Sequence, residues 1–131
     1  MSKNIPASAK VVVIGGGVAG CSVAYHLWKF GWKDIVLLER DQLTSGTTWH
    51  AAGLIGQMGA SATITKLRNY SLNLYKQLEQ ETGLSTGLKQ NGSLTVATTQ
   101  SRLDELKRQA TTAQLFNVEA NEVTKDQIKE L

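Results

Sequence analysis

One glycine turn near the amino terminus constrains the fold more than any other feature. Residues 15–20 read Gly-Gly-Gly-Val-Ala-Gly and fit the pattern G-x-G-x-x-G. A β-branched run over residues 10–14 precedes the turn, and a helical pattern over residues 18–30 follows it. A second apolar run covers residues 34–38. This order predicts an α/β fold that begins with a Rossmann-like unit of two parallel strands joined by a right-handed helical crossover.

The glycine turn also predicts a dinucleotide site. Gly15 permits the sharp exit from the strand, Gly17 lets a diphosphate approach the backbone, and Gly20 lets the helix pack on the strand. The free N–H groups and the dipole at the helix start favour phosphate. Glu39 ends the second run, where its carboxylate can accept hydrogen bonds from a ribose diol. Arg40 is expected near the adenine or in solvent, because the Glu39 carboxylate would repel an additional 2′-phosphate. The turn alone does not separate FAD from NAD.

The long segment after the second strand favours FAD. Residues 41–59 are rich in Gly, Ser and Thr and are predicted to form a loop with a short helix inside. FAD needs such a loop, because its ribityl chain and isoalloxazine extend well beyond the diphosphate. Hydroxyls in the loop could donate to phosphate or ribityl oxygens, and small residues would let the backbone lie against the ring. The hydroxyl residues are Thr47 and Thr48, and the small ones are Gly46, Ala51, Ala52 and Gly53.

His50 is the residue of this loop that we predict to be bonded to the flavin. A lone loop histidine is usually exposed or bonded to backbone. Inside a loop that cradles a flavin, however, a neutral imidazole is a competent nucleophile toward the activated 8-methyl group. The apolar neighbours Trp49 and Ala51 favour the neutral form.

The second half of the chain predicts helices around one strand. A helix is expected from Ala62 to Thr82, with Ile64 and Leu67 on its inner face and Gly83 at its end. The other predicted elements are a strand at Ser93–Thr98 after an Asn91-Gly92 turn, a helix capped by Ser101 with Asp104, and a helix opened by a Thr124–Gln127 capping box.

Composition excludes several classes of function. The 14 basic and 11 acidic residues are scattered, which argues against nucleic-acid binding. No apolar run approaches the roughly 20 residues that span a bilayer. The single cysteine, Cys21, leaves no intrachain disulfide and no thiolate metal site, and we predict no metal site elsewhere. Residues 1–10 lack the features of a secretory signal or a transit peptide, so a cytoplasmic location is expected.

The domain organisation is predicted to be incomplete. We assign residues 1–60 to the FAD-binding unit and flavin loop, and residues 61–131 to a mixed α+β segment that leads into a substrate domain. A dinucleotide fold needs at least three parallel strands in its first half, and the sequence supplies two in this region. The sequence is therefore expected to be cut short, and inactive by itself.

Specific segments carry a resemblance to a known family. The stretch from Val11 to Leu54 contains Gly-Gly-Gly-Val-Ala-Gly, Leu-Leu-Glu-Arg and Thr-Ser-Gly-Thr-Thr-Trp-His-Ala-Ala-Gly-Leu. It resembles the sarcosine and dimethylglycine dehydrogenases, which belong to the D-amino-acid-oxidase-like flavoproteins. The similarity continues through residues 75–83, 91–94 and 102–108, and the Trp-His-Ala-Ala-Gly segment is its most specific part.

This resemblance implies a cofactor, a reaction and a set of site residues. FAD would be held covalently through its 8α position by His50, and an N-methyl amine such as sarcosine or dimethylglycine would lose a hydride to flavin N5. Electrons would pass to an electron-transfer flavoprotein or oxygen, and tetrahydrofolate could capture the product in a longer protein. The location would be the bacterial cytoplasm, or the mitochondrial matrix after removal of a presequence. No substrate-side catalytic residue can be named. The cofactor-binding residues would be Gly15, Gly17, Val18, Ala19, Gly20, Glu39, Arg40, Gly46, Thr47, Thr48, Trp49, His50, Ala51, Ala52, Gly53 and Leu54.

Two alternative functions stay open at this point. The first is a non-catalytic regulatory homologue like the regulatory subunit of pyruvate dehydrogenase phosphatase, which also resembles residues 21–39. That relative is expected to lack the histidine, so Trp49-His50 favours a dehydrogenase. The second is a nicotinamide-dependent dehydrogenase that uses the same glycine turn.

Overall fold

The first part of the chain forms a parallel strand–helix–strand unit, as predicted. In a computed structural model that describes residues 6–130, strand β1 spans Val11–Ile14, helix α1 Val18–Lys29 and strand β2 Ile35–Leu38. Val11 pairs with Ile35 and Ile14 with Leu38, in parallel. Helix α1 ends at the C-cap Phe30, and Gly31 follows with φ +87°. A glycine in this left-handed conformation just past the cap is a common way to end a helix.

This first unit contains little fully buried structure. The chain divides into two compact units, of which one ends at Leu54 and the other begins at Ile55. Among residues 6–54, Gly16 is the only buried residue. The outward side chains of β1 are open to solvent, with Ile14 85% exposed. The predicted boundary at residue 60 concerns the domains of the whole protein and stays a prediction.

The second unit is built from three helices: α2 (Ala62–Thr82), α3 (Gln100–Gln114) and α4 (Lys125–Lys129). The bounds predicted for α2 are confirmed, including its C-cap Gly83 at φ +68°. The capping box of α4 is also confirmed, because the Thr124 and Gln127 side chains each bond the other's backbone. The apolar core of this unit consists of Leu72, Ala113 and Val118.

Three details of the second unit differ from the predictions. The segment Ser93–Thr98 pairs with no strand within residues 6–130, and its Val96 is exposed. The backbone N–H and C=O groups of a strand bond to a neighbouring strand, and the sequence of residues 93–98 alone does not determine whether such a neighbour is present. Helix α3 is capped by Thr99, whose hydroxyl accepts from the Arg102 N–H, rather than by Ser101. Ile64 and Leu67 of α2 are exposed, and its buried residues are Thr65 and Leu72.

Candidate functional site

The turn between β1 and α1 has the backbone geometry that a phosphate-binding turn requires. Gly15 lies at φ +104°, a conformation that side-chain-bearing residues rarely adopt. Its N–H donates to the carbonyl of Leu38 at 2.8 Å, which ties the turn to the end of β2. A Cβ on Gly20 would lie 1.8 Å from the carbonyl oxygen of Gly15. The close packing of helix and turn therefore requires glycine at position 20.

The positive end of α1 has no charged side chain in its first turn to neutralise it. Gly17 is the N-cap and offers no side chain to the free N–H groups, and the first helical turn contains no acidic residue. The N–H of Val18 donates to the hydroxyl oxygen of Thr48 at 2.9 Å. Since that oxygen accepts here, the hydroxyl hydrogen of Thr48 can still donate to another group. The helix end and Thr48 together favour a bound anion.

Glu39 accepts hydrogen bonds from backbone on both sides of the turn. Its Oε2 accepts from the N–H of Gly16 at 2.6 Å, and its Oε1 accepts from the N–H of Asp41 at 3.0 Å. These bonds, the one from Gly16 foremost, hold the pKa of the Glu39 carboxyl below its ordinary value of 4.5. The carboxylate is therefore ionised at neutral pH. A carboxylate has about four acceptor positions, so about two remain for a ribose diol.

Gly16 is a functional residue that the sequence pattern did not predict. It occupies an unconstrained position of G-x-G-x-x-G, yet it is buried, and its carbonyl accepts from the N–H of Thr44 at 2.9 Å. A Cβ at this position would lie 2.5 Å from Cδ2 of Leu43 and 3.0 Å from Cβ of Glu39. The run of three consecutive glycines, with Gly16 in the middle, was the one available signal of this tight packing.

The predicted flavin loop contains the short helix that was expected. Residues Thr47–His50 form one 3₁₀ turn, and the N–H of Trp49 lies 3.1 Å from the carbonyl oxygens of both Thr44 and Gly46. Trp49 and Leu54 are 78% and 91% exposed, so large apolar side chains are available to a ligand. The remaining predicted contacts in the first unit that are also exposed are Val18, Ala19, Arg40, Gly46, Thr47, His50, Ala51, Ala52 and Gly53.

The imidazole of His50 is held by backbone within the same turn. Its Nδ1 lies 3.0 Å from the carbonyl oxygen of Gly46. A carbonyl oxygen only accepts hydrogen bonds, so Nδ1 carries the hydrogen in this contact. In the neutral ring, Nε2 then keeps its lone pair. The exposed imidazole is therefore oriented with Nε2 as its nucleophilic atom.

The described residues contain neither a metal-binding cluster nor a membrane-spanning helix. Among residues 6–130, no three His, Cys, Asp or Glu side chains lie close enough to hold a metal ion. No helix in this part of the chain has the length and apolarity to cross a membrane.

Comparison with known proteins identifies flavoprotein relatives. The sequence model of a family described as FAD dependent oxidoreductase matches residues 10–131. Human mitochondrial sarcosine dehydrogenase is 45% identical over 99% of this chain, and rat mitochondrial dimethylglycine dehydrogenase is 45% identical over 94% of it. The mouse mitochondrial regulatory subunit of pyruvate dehydrogenase phosphatase is 53% identical over 79% of the chain.

A solved structure supports the same relationship. Glycine oxidase from Bacillus cereus ATCC 14579 superposes with a TM-score of 0.72 at 27% identity, and the match covers 94% of this chain and 35% of that one. The chain spans 14% of the length of each of the two dehydrogenases and 12% of the regulatory subunit. What these relatives do as whole proteins therefore depends mostly on regions without a counterpart here.

Proposed function

Because the chain belongs to the FAD-dependent oxidoreductase family, we propose that it is the cofactor-binding part of a flavoenzyme that oxidises an N-methyl amine and carries its FAD on His50. Two relatives named sarcosine dehydrogenase and dimethylglycine dehydrogenase support the substrate class, because they match nearly the whole chain. The family match also favours FAD over a nicotinamide cofactor.

The glycine turn and Glu39 would hold the adenylate half of FAD. At the helix start, Ala19 would offer its N–H to the diphosphate, and Val18, whose N–H is bonded to Thr48, would act through the hydroxyl of Thr48, which can still donate. Glu39 would bind the ribose through the acceptor positions that Gly16 and Asp41 leave open. These residues fit the cofactor because a side chain at Gly16 or Gly20 would collide with its neighbours and the first helical turn contains no acidic residue.

His50 carries the more specific part of the proposal. The Gly46 carbonyl holds the Nδ1 hydrogen, so Nε2 is the atom that we propose to bond to the 8α carbon of the flavin. This single contact supports covalent attachment, because it fixes both the tautomer and the orientation of the ring. Trp49 and residues 51–54 would border the ring system on either side of the attachment.

Bound FAD would supply the hydride-accepting chemistry, and this part of the protein would position the cofactor. A longer protein would provide the substrate surface, transfer electrons to an electron-transfer flavoprotein or oxygen, and use tetrahydrofolate if it has the corresponding region. Mitochondrial relatives favour the mitochondrial matrix, and a bacterial source would place the protein in the cytoplasm.

Acid precipitation tests the covalent link directly. The protein is produced with FAD, precipitated with trichloroacetic acid, and the flavin absorbance of pellet and supernatant is compared. We expect flavin in the wild-type pellet and its loss from the pellet of His50→Ala. The control is His26→Ala, since His26 bonds to Ser22 within α1 and should leave the pellet yellow. Equal pellet flavin in His50→Ala and wild type would contradict the assignment of His50.

The second candidate is a non-catalytic regulatory homologue, which the 53% identity to a regulatory subunit favours. This candidate predicts flavin only in the supernatant, or none at all, and no reduction of bound flavin by sarcosine or dimethylglycine. Anaerobic addition of each amine to the longer protein that includes the substrate surface, followed by absorbance at the flavin band, therefore separates the two candidates. Bleaching of the band supports the dehydrogenase.

A further inference from the structure

Thr44 has a backbone conformation that its residue type disfavours. Its φ is +67°, in the left-handed region. The other non-glycine residues at positive φ within residues 6–130 are Asp34 and Asn117, whose short polar side chains tolerate this region. Thr44 is β-branched and does not share that tolerance. Residues held in such conformations cluster at ligand-binding and active sites, so Thr44 calls for a functional explanation.

The backbone of Thr44 joins the phosphate turn to the flavin loop. Its N–H donates to the carbonyl of Gly16 at 2.9 Å, and its own carbonyl accepts from the N–H of Trp49 at 3.1 Å. These bonds explain why the chain turns sharply at this position. They do not explain the threonine, because glycine would make both bonds without the steric conflict.

The side chain of Thr44 therefore has to provide the explanation. It is exposed, and no hydrogen bond joins its hydroxyl to any residue in the described part of the chain. The neighbouring hydroxyl of Thr48, by contrast, accepts from Val18. Thr44 thus presents an unused hydroxyl donor from a residue whose backbone is bonded directly to the phosphate turn.

We propose that Thr44 is a further ligand of the dinucleotide, and that its hydroxyl donates a hydrogen bond to the diphosphate. This inference rests on the proposed FAD site. The diphosphate is the relevant part of the ligand, because the Thr44 N–H is bonded to Gly16, the central glycine of the turn. A hydroxyl that donates to an ionised phosphate oxygen makes one of the stronger hydrogen bonds available to a neutral side chain. Its gain in binding would offset the steric cost of threonine at positive φ.

The proposal predicts opposite effects on folding and on binding. Thr44→Gly relieves the steric conflict and keeps both backbone bonds, so its unfolding temperature should equal or exceed that of the wild type. Its Kd for ADP, measured by calorimetry, should rise about tenfold, which corresponds to the loss of one hydrogen bond to a charged group. Thr44→Ala should show the same loss of ADP affinity, and it serves as the second variant if the glycine variant does not fold.

Two control variants separate the effect of the Thr44 hydroxyl on ADP affinity from the effect of the backbone conformation. Thr44→Ser keeps the donor and should bind ADP with nearly wild-type affinity. Asn117→Gly relaxes a left-handed residue in the second unit and should leave ADP binding unchanged. Adenosine, which lacks the diphosphate, should bind the wild type and Thr44→Gly equally.

Each remaining outcome argues against the proposal. Wild-type ADP affinity in Thr44→Gly or Thr44→Ala would show that the hydroxyl is not a ligand, even with the FAD site intact. Equal losses for adenosine and ADP would place the contact at the ribose and overturn the assignment to the diphosphate. If the wild type binds neither ADP nor FAD, the proposed function fails together with this inference.

Discussion

The buried N–H of Gly16 donates to Oε2 of Glu39 at 2.6 Å, so the end of β2 holds the centre of the glycine turn. Glu39 would therefore have two roles: its hydrogen bonds hold the glycine turn, and its remaining acceptor positions would bind a ribose. The residue that follows the second strand thus holds the glycine turn in place without any ligand.

Replacement of Glu39 by glutamine should damage both folding and binding. An amide offers one acceptor oxygen where the carboxylate offers two, so the N–H of either Gly16 or Asp41 would face another donor. We expect a lower unfolding temperature without ligand and severalfold weaker FAD binding. Differential scanning fluorimetry and FAD titration measure the two effects. Glu130→Gln, at the exposed end of α4, is the control, and a Glu39→Gln protein that loses only FAD affinity would argue against the first role.

Gly20→Ala should prevent the first unit from folding stably. The added Cβ would lie 1.8 Å from the Gly15 carbonyl oxygen, and backbone atoms cannot rotate away as a flexible side chain can. We expect a loss of roughly 3 kcal/mol or more in the free energy of unfolding, measured in urea. Gly56→Ala is the matched control, because its nearest neighbour would be 3.9 Å away. Similar urea midpoints for the two variants would contradict the packing described.

Thr65→Val should weaken the start of α2. The buried Thr65 hydroxyl accepts from the N–H of Gly59 at 3.1 Å and donates to the carbonyl of Ser61 at 3.0 Å. Valine has the same shape but leaves the Gly59 N–H without its acceptor, at an expected cost of about 1–3 kcal/mol. Thr65→Ser keeps the hydroxyl and should lose less. Urea denaturation of the two variants ranks them, and a serine variant that is less stable than valine would exclude this explanation.

We expect acid to destabilise the segment that follows α2, because it protonates the Glu79 carboxylate. Its Oε1 accepts from the Thr86 hydroxyl and N–H at 2.9 and 2.6 Å and from the Ser85 hydroxyl at 3.0 Å, and these bonds lower the pKa of Glu79 below 4.5. A lowered pKa in the folded state gives stabilisation that is complete above 4.5 and disappears as pH falls through the lowered value.

Amide hydrogen exchange at Thr86 measures this effect. After correction for intrinsic exchange rates, its protection should fall as pH drops below 4.5 in the wild type and vary little in Glu79→Gln. The glutamine variant is the control because it keeps the acceptor oxygen but does not titrate. A fall of equal size in both proteins would assign the acid effect to other groups.

Local sequence predicted the elements whose causes are local. The strands and α1 follow from apolar runs next to the glycine turn, and Gly83 and Thr124 mark helix ends through their own backbone or side-chain bonds. The strand at Ser93–Thr98 was predicted wrongly, because pairing depends on a distant partner that no local pattern specifies. The cap of α3 was misplaced by two residues because Thr99 and Ser101 both offer hydroxyls there.

The same distinction between local and long-range causes applies to the residues of the candidate site. The glycine pattern predicted Gly15 and Gly20 from backbone geometry, and the loop composition predicted the short helix that contains His50. Gly16 and Thr44 were missed, since their importance comes from bonds between the turn and a segment 28 positions later (44 minus 16). The inner face of α2 was predicted only in part, because Ile64 and Leu67 are exposed and the hydrogen-bonded Thr65, which periodicity did not place inside, is buried.

Few residues are buried in the described part of the first unit, and a bound dinucleotide would add to its stability by mass action. With Gly16 as the only buried residue among residues 6–54, few side-chain contacts within this unit oppose its unfolding. A dinucleotide that binds only the folded form would add about 2.7 kcal/mol at a hundred times its Kd. If FAD binds as proposed, the denaturation midpoint should therefore rise with the logarithm of FAD concentration.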